Sequence, residues 1–434
     1  FADNENISSF MKTWDSNAGY PLITVNRNYN NGSIIISQKR FFINDTHNDD
    51  ESIWHVPITF TTSRYLDFSI ALPKLWLTTR SMEVVLDNLD PEDWLIVNVQ
   101  QTGFYRVNYD EKNWQNIIDF LKRYPFMIHK INKAQLQDDA LSLCQANLLN
   151  QSIYKGIVES IKQETDYSPL RSFINSLDSL DTYMKNTENY EEFKDMILDL
   201  LDTAMNSVGF EERQNDDYTT ILKRDMLLTW VCKYGRLECK EHGSAIIRKL
   251  YRRNSEAIVS NLQAPLLCTT VRDGEKSDWN FVFNKYRNEN NFVLRERLLN
   301  VLTCSENDEA LDRLLDIITS DNNESRKHDV IITLLGLCNS GTYGRDYLYN
   351  YIKKNWRELT ESLPTKDFDS VIKCIASKFS TEKQHADLQA LAEIIKMPTQ
   401  SVFEKALLVT QSNIDQAQKF VPFFIKWMSE DRVE

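Results

Sequence analysis

The side chains that most often carry out catalysis form no recognisable motif in this chain. Its 434 residues include six histidines, and no two of them lie four positions apart. The sequence therefore lacks the His-Glu-x-x-His helix that binds zinc in metallopeptidases. It also lacks a Gly-rich phosphate loop and a Gly-x-Ser-x-Gly nucleophile elbow. We predict no catalytic, cofactor-binding or metal-binding residue here; the histidines are His47, His55, His129, His242, His328 and His385.

Two weaker candidates for acid–base chemistry are a carboxylate pair and a single histidine. Asp138 and Asp139 are adjacent on a predicted helix, where neighbouring side chains point about 100° apart and cannot readily share a proton. We expect exposed or capping roles for them. His328, in "SRKHDV", could relay protons, but an isolated histidine on a helix with polar neighbours is usually at the surface or hydrogen-bonded.

The charge of the chain argues against two kinds of partner. Fifty basic and sixty-three acidic side chains give a net charge of −13, with no local basic stripe. Such a chain repels nucleic acid and anionic lipid headgroups. We expect the acidic residues between Asp178 and Asp217 to form a solvated helix face.

The cysteine spacing is compatible with either a disulfide or a structural zinc site. Seven cysteines are an odd number, so at least one is unpaired in a monomer. Gly235, between Cys232 and Cys239, could end a helix in a left-handed cap and bring the two sulfurs together. Structural zinc is the alternative, but it needs two more ligands and only His242 is close in sequence. Disulfides would indicate an oxidising compartment.

Five Asn-x-Ser/Thr sequons lie in polar, turn-like stretches. Each alone is weak evidence of N-glycosylation. The acceptors are Asn6, Asn31, Asn44, Asn150 and Asn323.

Hydrophobic periodicity divides the chain into a β-rich part and a helical part. In "SIWHVPITF" apolar residues alternate with more polar ones, and "SIIIS", "YLDFSIAL", "MEVVL" and "WLIVNV" are further short strand candidates. From Asp110 onward the period is helical, as in Leu311, Leu314, Leu315 and Ile318. We count about fifteen helices by this pattern, without a strict sequence repeat.

These patterns predict a multi-domain, mainly α protein. A small antiparallel β-sandwich is followed by a large α-helical superhelix of the HEAT or armadillo type, because so many consecutive helices cannot share one compact core. The expected parts are residues 1–15, the tail of a preceding domain; residues 16–109, the sandwich; and residues 110–434, the superhelix.

The stretch "GFYRVNYDEKNW" lies at the change of period. Gly103 permits a bend, "FYRVNY" is a last extended segment, and Asp110 can cap the following helix. Strand alternation puts Arg106 and Asn108 on one side and Tyr105, Val107 and Tyr109 on the other. We expect Arg106 to tie the two domains together rather than bind substrate. The predicted domain-junction residues are Gly103, Tyr105, Arg106, Asn108 and Tyr109.

Six stretches resemble the ordered landmarks of the aminopeptidase N family of gluzincin zinc aminopeptidases. They are "MKTWDSNAGYPLITV", "SQKRFF", "WHVPITF", "GFYRVNYDEKNW", "AQLQDDALSL" and "NESRKHD". The resemblance covers nearly the whole chain and implies the β-sandwich and C-terminal superhelix of that family. The zinc helix and the Gly-x-Met-Glu-Asn motif are absent, so no catalytic residue is carried over.

The resemblance implies part of an extracellular, cell-surface zinc aminopeptidase, of the insect or vertebrate ectoenzyme type. Zinc and the membrane anchor would lie outside this chain, and the helical domain would cap the active site and restrict access of peptide substrates. Homodimer formation is a further expectation. The open alternative is a binding module, a receptor for a virus or a bacterial toxin.

The resemblance also implies a disulfide pattern. Ectoenzymes of the family carry a short Cys-x6-Cys bridge followed by a longer one, and Cys232–Cys239 and Cys268–Cys304 occupy those places. Cys144, Cys338 and Cys374 lie on apolar helical stripes and are expected to be buried thiols.

Overall fold

Short strands come first and helices follow. The computed structural model describes residues 7–43, 51–86, 89–253, 263–319, 324–395 and 400–430. Helix α1 (Ile7–Ser16) precedes the strands. The strands are β1 (Pro21–Arg27), β2 (Ser33–Arg40), β3 (Val56–Ile58), β4 (Phe60–Thr62), β5 (Leu75–Leu77), β6 (Ser81–Val85), β7 (Leu95–Val97) and β8 (Arg106–Tyr109).

The rest of the described chain is helical, as the periodicity predicts. The helices after α1 are α2 (Glu111–Arg123), α3 (Lys130–Gln145), α4 (Gln151–Glu159), α5 (Tyr167–Met184), α6 (Tyr190–Val208), α7 (Tyr218–Lys233), α8 (Leu237–Arg253), α9 (Gln263–Asp273), α10 (Lys276–Asn288), α11 (Phe292–Leu302), α12 (Asp308–Thr319), α13 (Glu324–Asn339), α14 (Thr342–Ser362), α15 (Thr365–Lys378), α16 (Glu382–Ile394) and α17 (Gln400–Glu430).

The β part contains one four-stranded sheet and two strand pairs. The sheet has the order β6-β2-β1-β8, and β3–β5 and β4–β7 are separate antiparallel pairs. Strand β8 lies parallel to β1, with Val107 opposite Ile23. The expected antiparallel sandwich therefore includes one parallel pair, because the chain returns to the free edge of β1 only after forming the two smaller pairs.

Two strand predictions need correction. Residues 65–72, "YLDFSIAL", form turns and irregular backbone, with φ of 23° at Leu66 and Leu72 73% exposed. The alternation in "SIWHVPITF" breaks at Thr59, which is buried beside the buried Ile58. The segment therefore divides into β3 and β4, which pair with different strands.

The chain divides into two compact units, Phe1–Ser176 and Leu177–Glu434. The first contains the β part together with α1 to α4. The sequence places the domain boundary after residue 109, where the secondary structure changes, and that boundary stays a prediction. Helices α2 to α4 belong to the first unit because α3 packs on β8 and α4 packs on both α2 and α3.

The second unit is built from two layers of helices. Helices α7, α9, α11, α13, α15 and α17 each pack on the next of the series, and the intervening helices pack against them. In α12 the stripe Leu311, Leu314, Leu315 and Ile318 is at most 1% exposed. Each such side chain contributes about 1.5–3 kcal/mol when removed from water. This stacking is the helical superhelix expected from the sequence.

Candidate functional site

Arg106 is the centre of a hydrogen-bonded network between β8 and α3. Its Nη1 donates to Asp138 Oδ2 at 2.6 Å and to Asp139 Oδ1 at 3.0 Å, and its Nε donates to the Tyr20 hydroxyl at 3.2 Å. The guanidinium also lies 5.3 Å from the centre of the Phe41 ring. Burial disfavours the charge, but the carboxylates of Asp139 and Asp138 outweigh it and raise the pKa of Arg106. A single arginine thus joins the strand to the helix.

Asp139 is not the exposed or capping residue that the sequence suggested. It is 2% exposed, whereas the Asp138 side chain is 51% exposed. Asp139 Oδ2 accepts the backbone N–H of Val107 at 3.1 Å and the amide of Gln135 at 3.3 Å. Burial raises the pKa of Asp139 to about 7, while Arg106 opposes that rise. Asp138 and Asp139 therefore bind the same arginine, although their side chains leave the helix in different directions.

The extended segment before α2 is held by side chain to backbone bonds. Asn98 donates its amide to Gly103 O at 2.9 Å and accepts Gly103 N–H at 2.8 Å. A Cβ on Gly103 would lie 2.2 Å from Tyr105 Cε1. Gly103 is therefore required by the close approach of the Tyr105 ring, and the Tyr105 hydroxyl donates to Pro57 O at 2.9 Å.

The remaining junction residues fix α2. Asp110 caps the helix by accepting Asn113 N–H at 2.9 Å, as predicted. Asn108 accepts the indole N–H of Trp114 at 3.0 Å. The Tyr109 hydroxyl accepts Val97 N–H at 2.9 Å. The structure thus brings all five predicted junction residues into one network within the first unit, with Tyr105, Val107 and Tyr109 buried and Arg106 and Asn108 partly exposed.

The cavity beside this network is small. It measures about 380 Å³ and is lined by Tyr20, Gln101, Thr102, Gly103, Phe104, Tyr105, Arg106 and Asp138. Arg106 Nη1 binds Asp138 and Arg106 Nε binds the Tyr20 hydroxyl, and both partners also line the cavity. These contacts are consistent with the structural role predicted for Arg106, which stays a prediction.

The helical unit contains three disulfides. Cys232 is bonded to Cys239, and Gly235 between them has φ of 87°, the left-handed conformation expected of the turn. Cys268 is bonded to Cys304.

The third disulfide corrects an expectation. Cys338 is bonded to Cys374, so these residues are not thiols, while Cys144 is a buried free thiol. Burial raises the pKa of Cys144 to about 12, which keeps it protonated and unreactive. Apolar helical surroundings suit a buried thiol and a buried disulfide equally, so the stripe could not distinguish them.

Part of the acidic region between residues 178 and 217 is buried rather than solvated. Asp181 accepts the hydroxyls of Tyr190 at 2.7 Å and Tyr234 at 3.1 Å, and pairs with Lys233 at 2.9 Å. Burial opposes its ionisation, but Lys233 and the Tyr190 hydroxyl hold the pKa of Asp181 below its usual value. Asp216 likewise accepts from the fully buried Arg224 at 2.6 Å. These carboxylates stabilise packed helices.

His328 and two of the sequon asparagines are at the surface of the described chain. His328 is exposed and its ring lies 4.9 Å from Phe292, which suits the surface interpretation. Asn31 and Asn150 are exposed. The other three sequon asparagines, Asn6, Asn44 and Asn323, and the histidine His47, fall outside the described residues.

A wide groove lies between α12 and α14, and the sequence patterns did not predict it. It measures about 1210 Å³. Tyr343 donates its hydroxyl to Asp308 at 2.6 Å, and Tyr347 donates to Asp312 at 2.5 Å. The signal was present as two runs of side chains four residues apart, one of Asp and one of Tyr, but each run alone is typical of a solvated helix face.

The fold is that of a mainly α protein, with a short β part followed by a two-layer array of helices. The ERAP1-like C-terminal domain family matches residues 94–415, and this chain belongs to that family. Among curated proteins it is similar to aminopeptidase N of Plutella xylostella, with 24% identity over 88% of this chain and 40% of the relative.

Two further relatives come from mammals. Thyrotropin-releasing hormone-degrading ectoenzyme of Rattus norvegicus is 25% identical over 98% of this chain and 41% of its own length. Aminopeptidase N of Canis lupus familiaris is 25% identical over 98% of this chain and 44% of its own length. The chain therefore spans about two fifths of the curated relatives it matches, and the aminopeptidase N family resemblance read from the sequence is confirmed.

Proposed function

We propose that this chain is the non-catalytic, C-terminal half of an extracellular zinc aminopeptidase that removes N-terminal residues from peptides. In this proposal the helical unit caps the active site of the whole enzyme and restricts which peptides reach it. The observation that carries the proposal is the family match over residues 94–415 together with relatives that are aminopeptidases and are more than twice as long as this chain.

In this proposal the zinc of the whole enzyme is bound by residues outside this chain. A catalytic zinc site needs three protein ligands and an open position. The sequence has no two histidines four residues apart. Within the described ranges, no three His, Cys, Asp or Glu side chains are grouped so that they could hold a metal.

An extracellular setting is consistent with two observations. Three disulfides connect helices or turns of the second unit, and such bonds persist in oxidising compartments. The sequons Asn31 and Asn150 are exposed. In the part of the chain that the structure describes, no helix combines the length and apolarity needed to cross a membrane.

The test is made on the native protein. Antibodies raised against this chain should capture, from the source tissue, a polypeptide much heavier than 51 kDa (the chain itself is 50.9 kDa) that hydrolyses Ala- or Leu-anilide and is inhibited by a chelator. The purified chain alone should show no such activity. Capture of a native protein of the chain's own mass without aminopeptidase activity would contradict the proposal and favour the binding module. Chelator-sensitive hydrolysis by the isolated chain would contradict the assignment of catalysis to residues outside it.

A further inference from the structure

The groove between α12 and α14 has two unlike walls. On α12, Asp308, Asp312 and Asp316 are exposed and follow one another every four residues. On α14, the tyrosine rings at positions 343, 347 and 351 follow the same spacing and are half-buried. A row of carboxylates therefore runs beside a row of aromatic rings for about two helical turns.

The carboxylates of this groove have few basic partners. Tyr343 and Tyr347 donate hydroxyls to Asp308 and Asp312, so the partners of these two carboxylates are neutral. Among the ion pairs of the described residues, none includes Asp308, Asp312 or Asp316, whereas Asp346 on α14 is paired with Arg345 at 2.9 Å. The groove lining as a whole has one ammonium, Lys354, and six carboxylates: Glu306, Asp308, Asp312, Asp316, Asp346 and Glu358.

The distance between successive aspartates along α12 suits a ligand with several separate positive charges better than a single metal ion. Residues four apart on a helix are about 6 Å apart along its axis. The α12 aspartates therefore do not converge on one point, as ligands of a metal ion would. Side chains on one face of an extended peptide repeat every two residues, at about 6.6 Å. Alternate residues of an extended peptide can thus face successive aspartates.

The tyrosine rings on α14 provide a surface on which the apolar part of a basic side chain can pack. Lysine and arginine carry a charge at the end of an apolar stem. The charge can bind a carboxylate on α12 while the stem, or the cation itself, packs on a tyrosine face on α14. Acidic and aromatic walls side by side fit basic side chains, whereas an acidic or purely apolar segment would leave the aspartates unpaired.

We propose that the α12–α14 groove is a docking site for an extended polypeptide segment of a partner protein in which lysine or arginine occupies alternate positions. Each basic side chain binds a carboxylate of the aspartate row and packs on the face of a neighbouring tyrosine ring, while the hydroxyls of Tyr343 and Tyr347 stay bonded to Asp308 and Asp312. This binding activity is separate from the peptidase function proposed above, and it is tested on the isolated chain without reference to catalysis.

The probe is a fluorescein-labelled heptapeptide in which lysine alternates with serine, titrated with this chain by fluorescence anisotropy. A heptapeptide of identical composition with its lysines in one block is the control for spacing. We expect the alternating peptide to bind more tightly, and higher ionic strength to weaken its binding. Replacing both Asp312→Asn and Asp316→Asn should reduce its affinity about 3- to 10-fold, the range that the loss of two surface ion pairs produces.

The matched control removes two exposed carboxylates elsewhere in the same unit. Glu188→Gln with Asp195→Asn also removes two negative charges, and both residues are exposed. This variant should bind the alternating peptide as the unmodified chain does. The variants differ little in fold because every replaced side chain is exposed and similar in size, and circular dichroism checks this.

Three outcomes would overturn the proposal. Equal affinity for the alternating and blocked peptides would show that the groove does not distinguish peptides by the spacing of their lysines. An equal loss in the control variant would show attraction to the net charge of −13 alone. If a Tyr351→Leu variant bound the alternating peptide with undiminished affinity, the aromatic ring at position 351 would not contribute to peptide binding.

Discussion

Replacing Arg106 with alanine should destabilise the first unit through one particular carboxylate. The guanidinium binds Asp138 at 2.6 Å and Asp139 at 3.0 Å, but only Asp139 is buried. Removing the arginine leaves the Asp139 charge among groups with little access to water. Breaking a buried ion pair from one side costs about 3–5 kcal/mol.

The expected cost of Arg106→Ala lies somewhat below that range. Asp139 keeps the backbone N–H of Val107 and the amide of Gln135 as donors, and the Arg106 side chain is 17% exposed. We expect a loss of about 2–4 kcal/mol. Asp138→Ala is the matched control, because it removes the exposed carboxylate bound to the same arginine; it should cost less than about 1 kcal/mol.

The cost should also depend on pH. Burial raises the pKa of Asp139 to about 7, and Arg106 limits that rise. Without Arg106 the carboxyl takes up a proton at a higher pH and loses the unpaired charge. The destabilisation should therefore be largest well above pH 7, where Asp139 is ionised in both proteins. The part due to Asp139 should vanish as the pH falls to about 7, because below that pH the carboxyl is protonated with or without Arg106.

The measurement is amide hydrogen exchange of β8 and α3, together with thermal melting. Exchange follows the first unit separately, which a single melting curve of a two-unit chain does not. The amide of Val107 should lose protection in Arg106→Ala and keep it in Asp138→Ala. Equal losses in the two variants would refute the assignment of the stabilisation to the buried carboxylate. In the longer native enzyme, loss of peptide turnover with unchanged stability would show instead that Arg106 faces the substrate.

Three further predictions concern other parts of the chain. His129 caps α3 by accepting a backbone N–H at its ring nitrogen, and burial lowers the pKa of His129. Its contribution to stability should therefore be present above about pH 6.5 and fall as the pH drops below that value. In His129→Asn, which keeps a capping acceptor, this part of the pH dependence of the melting temperature should vanish. Replacing both Cys338 and Cys374 with serine should lower the free energy of unfolding by about 4 kcal/mol, as expected for a loop of this length, and non-reducing peptide mapping should recover the bridge in the unmodified protein. Asn31 and Asn150 should carry glycans in protein secreted from eukaryotic cells, seen as a mass loss on enzymatic deglycosylation.

The sequence was sufficient to separate a strand-rich first part from a helical second part, although "YLDFSIAL" was wrongly predicted as a strand. Period-two and period-3.6 patterns depend only on which faces of a segment are apolar, so they identify strands and helices before any packing is known. Asp110 as a helix cap is local in the same sense, because its partner Asn113 is three residues away.

Contacts between distant segments had to come from the tertiary structure. Asp139 is buried because α3 lies against β8, and nothing in "QDDAL" distinguishes it from the exposed Asp138. Cys338 and Cys374 bond because α13 and α15 are neighbours in one layer. The parallel pairing of β8 with β1 joins segments some 80 residues apart. The α12–α14 groove likewise exists only where two helices meet. Local patterns determine which face of an element is apolar, but which element covers that face is decided by the packing of the whole unit.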